Sequence, residues 1–184
     1  MKLLLHICCG PCATYPVNQL RTAGVEAIGY FYNPNIHPYR EFKQRLAALQ
    51  EYADAAQLNV IYNRSYDFEE FLRLVVFHEQ DRCQYCYKFR LEQAARAAAE
   101  LGCTHLTSTL LVSPYQKHDL IHRIGDAVAA KYGLEFYYED WRGGFREGQQ
   151  IAQNMGLYRQ PYCGCIYSEA ERYCRQKRKR AEKE

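Results

Sequence analysis

Short apolar runs of β-like composition alternate along this chain with longer segments of helical spacing. Such alternation predicts βαβ units, in which helices cover both faces of a parallel sheet. We therefore predict an α/β fold with a doubly wound parallel sheet and a helical or loop C-terminal extension. The predicted strands cover residues 2–7, 25–32, 59–62, 104–110 and 134–138.

The segments between these runs predict helices, several of them marked by their end signals. Pro11 is compatible with a first helical turn, Gly24 with a helix end, and Asp67 with an N-cap. The predicted helices cover residues 13–23, 41–57, 68–77, 83–102, 118–132 and 149–155, with a last helix from about Ser168.

Length and composition limit the class of protein. With 184 residues, the chain fits one catalytic domain at 1–166 and a C-terminal helix with a basic tail at 167–184. Hydrophobic residues make up 48% of the chain, which excludes a disordered protein. No apolar run reaches the roughly 18 residues of a membrane span, and residues 3–9 are too short for a signal-peptide core. We expect a cytoplasmic protein.

Nine cysteines are an odd number, so intrachain disulfides cannot pair them all. Cysteines clustered in a reducing compartment usually bind metal or carry out redox chemistry. Cys103 and Cys174 are isolated and are best explained as ordinary small apolar residues. The other seven form three groups, which are Cys8/Cys9/Cys12, Cys83/Cys86 and Cys163/Cys165.

The spacing of the first two groups points to a metal centre. Thiolates hold zinc or iron–sulfur clusters, and an adjacent pair such as Cys8-Cys9 suits a larger cluster, or two metals, better than one tetrahedral zinc. Dithiol chemistry without metal also remains open. The single glycine between Cys163 and Cys165 permits a strained, redox-active disulfide, and further metal ligation is the alternative.

Four motifs in order resemble the QueH-type epoxyqueuosine reductases, and they span nearly the whole chain. They are CCGPC, CQYCY, TSTLLVSPYQ followed by a histidine, and LYRQPYCGC. The resemblance implies a Rossmann-like HUP-type fold related to PP-loop enzymes and a [4Fe–4S] cluster. It also implies reduction of the epoxide on a modified tRNA wobble base to the cyclopentene, the last step of queuosine biosynthesis.

The resemblance also implies roles for individual residues, which are assigned through the shared motifs. It implies cluster ligation by Cys8, Cys9, Cys83 and Cys86, and a redox-active pair at Cys163 and Cys165. Cys12 then becomes a ligand of a second metal ion, iron or zinc, or an active-site group. The implied partners are a tRNA carrying epoxyqueuosine in its anticodon and a low-potential electron donor.

Removing the epoxide oxygen also requires a proton donor. His118, Asp119 and Tyr115 follow the predicted fourth strand, where side chains of a parallel sheet meet their ligands. They are therefore candidate catalytic residues. The alternative for His118 and Asp119 is that they only stabilise the start of the next helix.

Basic residues predict contacts with tRNA phosphates. Seven basic and two acidic residues occupy 172–184, although a basic end is often only solubilising. Three further arginines lie near tyrosines that suit base stacking. The candidate tRNA-binding residues are Arg142, Arg146, Arg159, Arg175, Lys177, Arg178, Lys179 and Arg180.

Two other functions are compatible with parts of the sequence. One is a zinc-stabilised RNA-binding module in which the cysteines are structural. The other is a PP-loop-like enzyme that activates tRNA with ATP. The turn after the first strand argues against this function, because CCGPC lacks the glycines and the Ser/Asp of a phosphate loop.

Overall fold

The computed structural model describes residues 1–181, with side chains through Cys174. Within this part of the chain, five parallel strands form one sheet in the order β3-β2-β1-β4-β5. This arrangement confirms the predicted Rossmann-like, doubly wound fold class. The strands are β1 (Lys2–His6), β2 (Glu26–Phe31), β3 (Val60–Tyr62), β4 (His105–Ser108) and β5 (Glu135–Phe136).

Helices cover both faces of this sheet. Leu3 and Leu5 of β1 point into a core shared with α1 and α2, whereas Leu4 points into a core built with α4 and α5. This alternation follows from the two-residue period of a strand. The helices are α1 (Gly10–Thr22), α2 (Tyr39–Ala56), α3 (Phe68–Val75), α4 (Arg82–Glu100), α5 (His118–Lys131), α6 (Phe145–Asn154) and α7 (Ile166–Ala181).

The strand order reverses between β1 and β4, and ligands of doubly wound sheets bind at the carboxyl ends of the strands at this point. The turn after β1 carries the first cysteine group, and a 3₁₀ turn at Thr109–Val112 follows β4. The two turns are joined, because the Cys8 N–H donates to Thr109 Oγ1 over 3.2 Å.

Close packing of α1 against α2 fixes the cysteine turn from the other side. A Cβ on Gly10 would lie 2.4 Å from the carbonyl oxygen of Ala48. Only glycine lets the two backbones approach this closely. The first turn of α1, with Pro11 and Cys12, is therefore seated directly on α2.

Several predicted bounds differ from the structure. α1 begins at Gly10 rather than near Ala13, because Cys9 is extended (φ −171°) and takes the N-cap position. Asp67 occupies the N-cap position of α3 without capping it, because its carboxylate accepts a hydrogen bond from Tyr32 Oη at 3.0 Å instead. α6 begins at Phe145 rather than near Gln149, directly after a 3₁₀ turn at Trp141–Gly144.

Among the helices of the described residues, none combines the length and apolar character needed to cross a bilayer.

Candidate active site

Three thiols of the β1–α1 turn form a compact group. The sulfurs of Cys8 and Cys9 are 3.7 Å apart. Together with the Cys12 sulfur, they lie within 4.8 Å of one another, and no other set of three or more His, Cys, Asp or Glu ligand atoms in the described residues is this compact. An all-sulfur donor set of this kind suits zinc, copper(I) or an iron–sulfur cluster.

Proton sharing within this group shifts each pKa. Hydrogen bonds from the Cys12 and Cys9 thiols hold the pKa of Cys8 well below its usual range. The bond to Cys8 raises the pKa of Cys12 well above its usual range, and burial raises that of Cys9. One thiolate is thus favoured and the other two are disfavoured, so binding through all three sulfurs requires a cation to offset their charge.

Polar side chains from distant segments contact these sulfurs. Thr109 Oγ1 donates to Cys8 Sγ at 3.5 Å. Gln160 Nε2 lies 2.9 Å from Cys9 Sγ and 3.4 Å from Cys12 Sγ. The carboxyl end of β4 and the segment before α7 therefore converge on the same turn.

The Cys83/Cys86 pair lies in the first turns of α4, outside the compact group of three. Cys86 is buried against Phe71, Val75 and Cys165, and this burial raises the pKa of its thiol to about 12. Cys83 is half-buried, and burial raises its thiol pKa as well. Cys86 therefore packs with the second cysteine of the later Cys-Gly-Cys motif, whereas Cys83 packs against the core that contains the cysteine turn.

Arg90 connects this pair to the cysteine turn. Arg90 is 1% exposed, with Nη1 3.8 Å from Cys86 Sγ and Nη2 donating to Asn33 Oδ1 over 2.6 Å. It lines the same cavity as Cys8. Within the described residues no carboxylate lies within 4 Å of Arg90, and its Nε has no hydrogen-bond partner. A buried, permanently charged group requires a compensating anion, and the surrounding sulfurs can supply it as thiolates.

The Cys163-Gly164-Cys165 loop is fixed by a second buried arginine. Arg45 Nη1 donates to the carbonyl of Cys163 at 2.7 Å and Nη2 to that of Tyr162 at 3.0 Å. Gly164 has φ +150°, which favours glycine, and its carbonyl accepts from the His37 N–H over 2.9 Å. The main chain of the loop is therefore held from two sides.

The two sulfurs of this loop have different surroundings. Cys163 Sγ accepts from Gln116 Nε2 at 3.3 Å and lines the cavity, whereas Cys165 packs into the apolar cluster around Cys86. Cys163 is exposed at this cavity, whereas Cys165 is buried. All nine cysteines are free thiols in the structure.

A cavity of about 490 Å³ joins these elements. Its lining includes Cys8, Cys12, Cys163 and both buried arginines. This volume lies within the range of small-ligand pockets, roughly 300–1,000 Å³. The cavity opens at the carboxyl ends of the strands, where a doubly wound sheet binds its ligand.

The three candidate proton donors do not lie together. Tyr115 is 83% exposed at the rim of the cavity. His118 and Asp119 line a separate depression beside Arg123. His118 is buried, and its Nε2 lies 3.2 Å from the carbonyl of Ser113. This contact stabilises the turn that carries Tyr115.

The candidate tRNA-binding residues fall into two groups. Arg142, Arg146 and Arg159 are exposed, and Arg142 forms a bidentate pair with Asp140. The others have side chains outside the described residues; these are Arg175, Lys177, Arg178, Lys179 and Arg180.

Four site residues are absent from the candidates that the sequence motifs indicate: Arg45, Arg90, Gln116 and Gln160. The two arginines had a detectable signal, because each occupies an apolar position of its helix. Arg90 follows Cys86 by four residues and precedes Ala94 by four, on the buried stripe of α4. The two glutamines lie in loops, where no periodicity identifies them.

Comparisons with known proteins agree with one another. The family model described as "Epoxyqueuosine reductase QueH" matches residues 3–171. An epoxyqueuosine reductase QueH from Dehalococcoides mccartyi is 38% identical and covers 94% of each chain. Another from Thermotoga maritima is 35% identical over 92% of this chain and 91% of its own.

A solved structure shares the fold. It is a predicted subunit of a tRNA methyltransferase from Methanocaldococcus jannaschii, which superposes with a TM-score of 0.56 over 83% of this chain and 74% of its own. At 16% identity, this likeness concerns the fold alone.

Proposed function

This chain belongs to the QueH family of epoxyqueuosine reductases, and on that premise we propose that it is an iron–sulfur enzyme that reduces epoxyqueuosine to queuosine at the tRNA wobble position. The observation that carries the proposal is the group of three thiols at the switch point of the sheet, two of which, Cys8 and Cys12, line a ligand-sized cavity. Family membership supplies the substrate, and the thiol group supplies a place for redox chemistry.

We propose Cys8, Cys9, Cys83 and Cys86 as the ligands of a [4Fe–4S] cluster, with Cys12 as a ligand of a second metal ion. Two features support this assignment: the compact all-sulfur donor set and the buried cation of Arg90, which lies beside Cys86 and lines the same cavity as Cys8. When bound, such a cluster supplies single electrons at low potential.

Deoxygenation of an epoxide to an alkene consumes two electrons and two protons and releases water. Cys163 lies on the cavity wall as a free thiol. It is therefore placed to give a proton to the departing oxygen. With Cys165 it can also supply two electrons and two protons as the pair is oxidised to a disulfide, once the loop lets the sulfurs meet. A low-potential donor restores the reduced state.

Other side chains of the cavity orient these groups. Gln116 and Arg45 hold Cys163 through its sulfur and its carbonyl, and Gln160 holds Cys9 and Cys12. The exposed arginines Arg142, Arg146 and Arg159 and the basic residues after Tyr173 supply the charge that attracts tRNA phosphates.

The test is an anaerobic assay in which chemically reduced protein acts on tRNA carrying epoxyqueuosine and the nucleosides are measured by mass spectrometry. We expect the wild type to form queuosine, Cys8→Ser to form none, and Cys103→Ser to match the wild type, because Cys103 lies in the opposite core. Absence of queuosine with the wild type would refute the proposal. Full single-turnover reduction by Cys163→Ser would refute the role of the Cys163/Cys165 pair.

A further inference from the structure

The rim of the active-site cavity carries an aromatic pair that the chemistry above does not use. The rings of Tyr115 and Phe145 lie 5.9 Å apart at an interplanar angle of 87°. Both residues line the cavity, and Tyr115 is 83% exposed although its ring is large. Two perpendicular rings form a corner in which a flat ligand can stack on one face and meet the edge of the other.

The inner wall of the same cavity holds buried acceptors without donors. Asn35 is 1% exposed, and its Oδ1 has no hydrogen-bond partner among the described residues. Gln160 uses its Nε2 on two sulfurs, which leaves its Oε1 buried and unpartnered as well. An unpaired buried acceptor costs about 1–3 kcal/mol, so these oxygens call for a ligand that brings N–H or O–H donors.

Charge favours nucleic acid as the source of such a ligand. Arg146 follows Phe145 directly and is exposed, and Arg172 of α7 lines the cavity. Flat aromatic rings with neighbouring guanidinium groups are the surfaces on which extruded bases stack.

We propose that this cavity is a nucleoside-binding site in which Tyr115 and Phe145 stack on the extruded wobble base and Asn35 Oδ1 accepts a hydrogen bond from the modified nucleoside. The inference rests on the proposed function and adds the recognition of the substrate to it. Because the aromatic rim and Cys163 line one cavity, the base is held at the mouth while its epoxide-bearing substituent extends toward the thiols.

Binding of an anticodon stem-loop RNA to the anaerobic holoprotein tests this site without requiring turnover. The RNA carries epoxyqueuosine and a fluorophore, and its fluorescence anisotropy gives the Kd of the protein–RNA complex. Loss of base stacking in Phe145→Leu or Tyr115→Leu should weaken binding about tenfold. Phe145→Tyr, which keeps an aromatic face, should recover most of the affinity.

Phe77→Leu is the matched control, because Phe77 is 90% exposed and does not line the cavity. It should bind as the wild type does. Wild-type affinity in both Leu variants of the rim, or an equal loss in Phe77→Leu, would overturn the proposal.

Asn35→Leu removes the buried acceptor at similar volume. It should reduce the preference for the epoxyqueuosine stem-loop over the same RNA with unmodified guanine, and a preference equal to that of the wild type would contradict the role of Asn35. Should this variant not fold, the two rim variants decide the proposal. If RNA binding by the wild type depends on Phe145 but the epoxide stays intact, the reductase function would be refuted and the base-binding site would still be supported.

Discussion

The guanidinium of Arg45 donates to the main-chain carbonyl of Cys163 over 2.7 Å, so a helix on one face of the sheet fixes the loop that carries the cavity thiol. The same side chain pairs through Nε with Glu41 at 2.7 Å, and both residues are buried. The loop is therefore anchored to a buried ion pair, and its position depends on α2.

Arg45→Met should destabilise the protein by about 3–5 kcal/mol, because it leaves the buried Glu41 carboxylate without its cationic partner and with the Tyr158 hydroxyl as a donor. Urea unfolding of the anaerobic protein measures the change. The double variant Glu41→Leu/Arg45→Met removes both charges and should regain part of the loss. If the double variant were as unstable as the sum of the two single changes, the pair would not be coupled.

Gly10→Ala should lower the free energy of unfolding by about 1–3 kcal/mol, because its Cβ would overlap the Ala48 carbonyl oxygen at 2.4 Å. Gly143→Ala is the control, since its Cβ meets nothing within 4 Å. Chemical unfolding of both variants checks the difference. Equal stability of the two would mean that α1 and α2 separate easily, contrary to the packing described above.

Arg90→Gln should shift the reduction potential of the proposed cluster to more negative values. The cause is the loss of a buried positive charge that favours the added electron, whereas Arg90→Lys keeps that charge. A redox titration followed by electron paramagnetic resonance measures the potential. Arg73→Gln controls for a general charge effect, because Arg73 is exposed. Identical potentials in Arg90→Gln and the wild type would contradict the role of Arg90 as a counter-ion.

Truncation after Tyr173 should weaken tRNA binding and reduce its dependence on salt, because six basic residues between 175 and 183 are removed. Affinity measured at several salt concentrations gives the slope. Replacing the exposed residue Lys43, which does not line the cavity, by Gln should change the slope by no more than about one charge. A slope unchanged by truncation would assign the tail another role.

The sequence predicted the sheet more completely than the site, for physical reasons. Strand alternation identified the parallel sheet, because buried strands are continuous apolar runs, and the motif CCGPC located the thiol group at the end of β1. Helical periodicity marks the positions of Arg45 and Arg90 as buried, but it does not show that they lie beside the thiols, because those contacts join segments distant in sequence. The sequence also predicted that Cys163 and Cys165 act as one pair. In the fold, Cys163 lines the cavity and Cys165 packs into the apolar cluster around Cys86.

Analysis of iron and acid-labile sulfide in the anaerobically purified protein tests most directly whether the cysteine groups surround one cluster. We expect about four sulfides and at least four irons per chain, with broad absorbance near 400 nm, and loss of both in Cys9→Ser and in Cys86→Ser. Cys174→Ser should retain them. A colourless protein with one zinc and no sulfide would refute a shared cluster and favour a structural RNA-binding module.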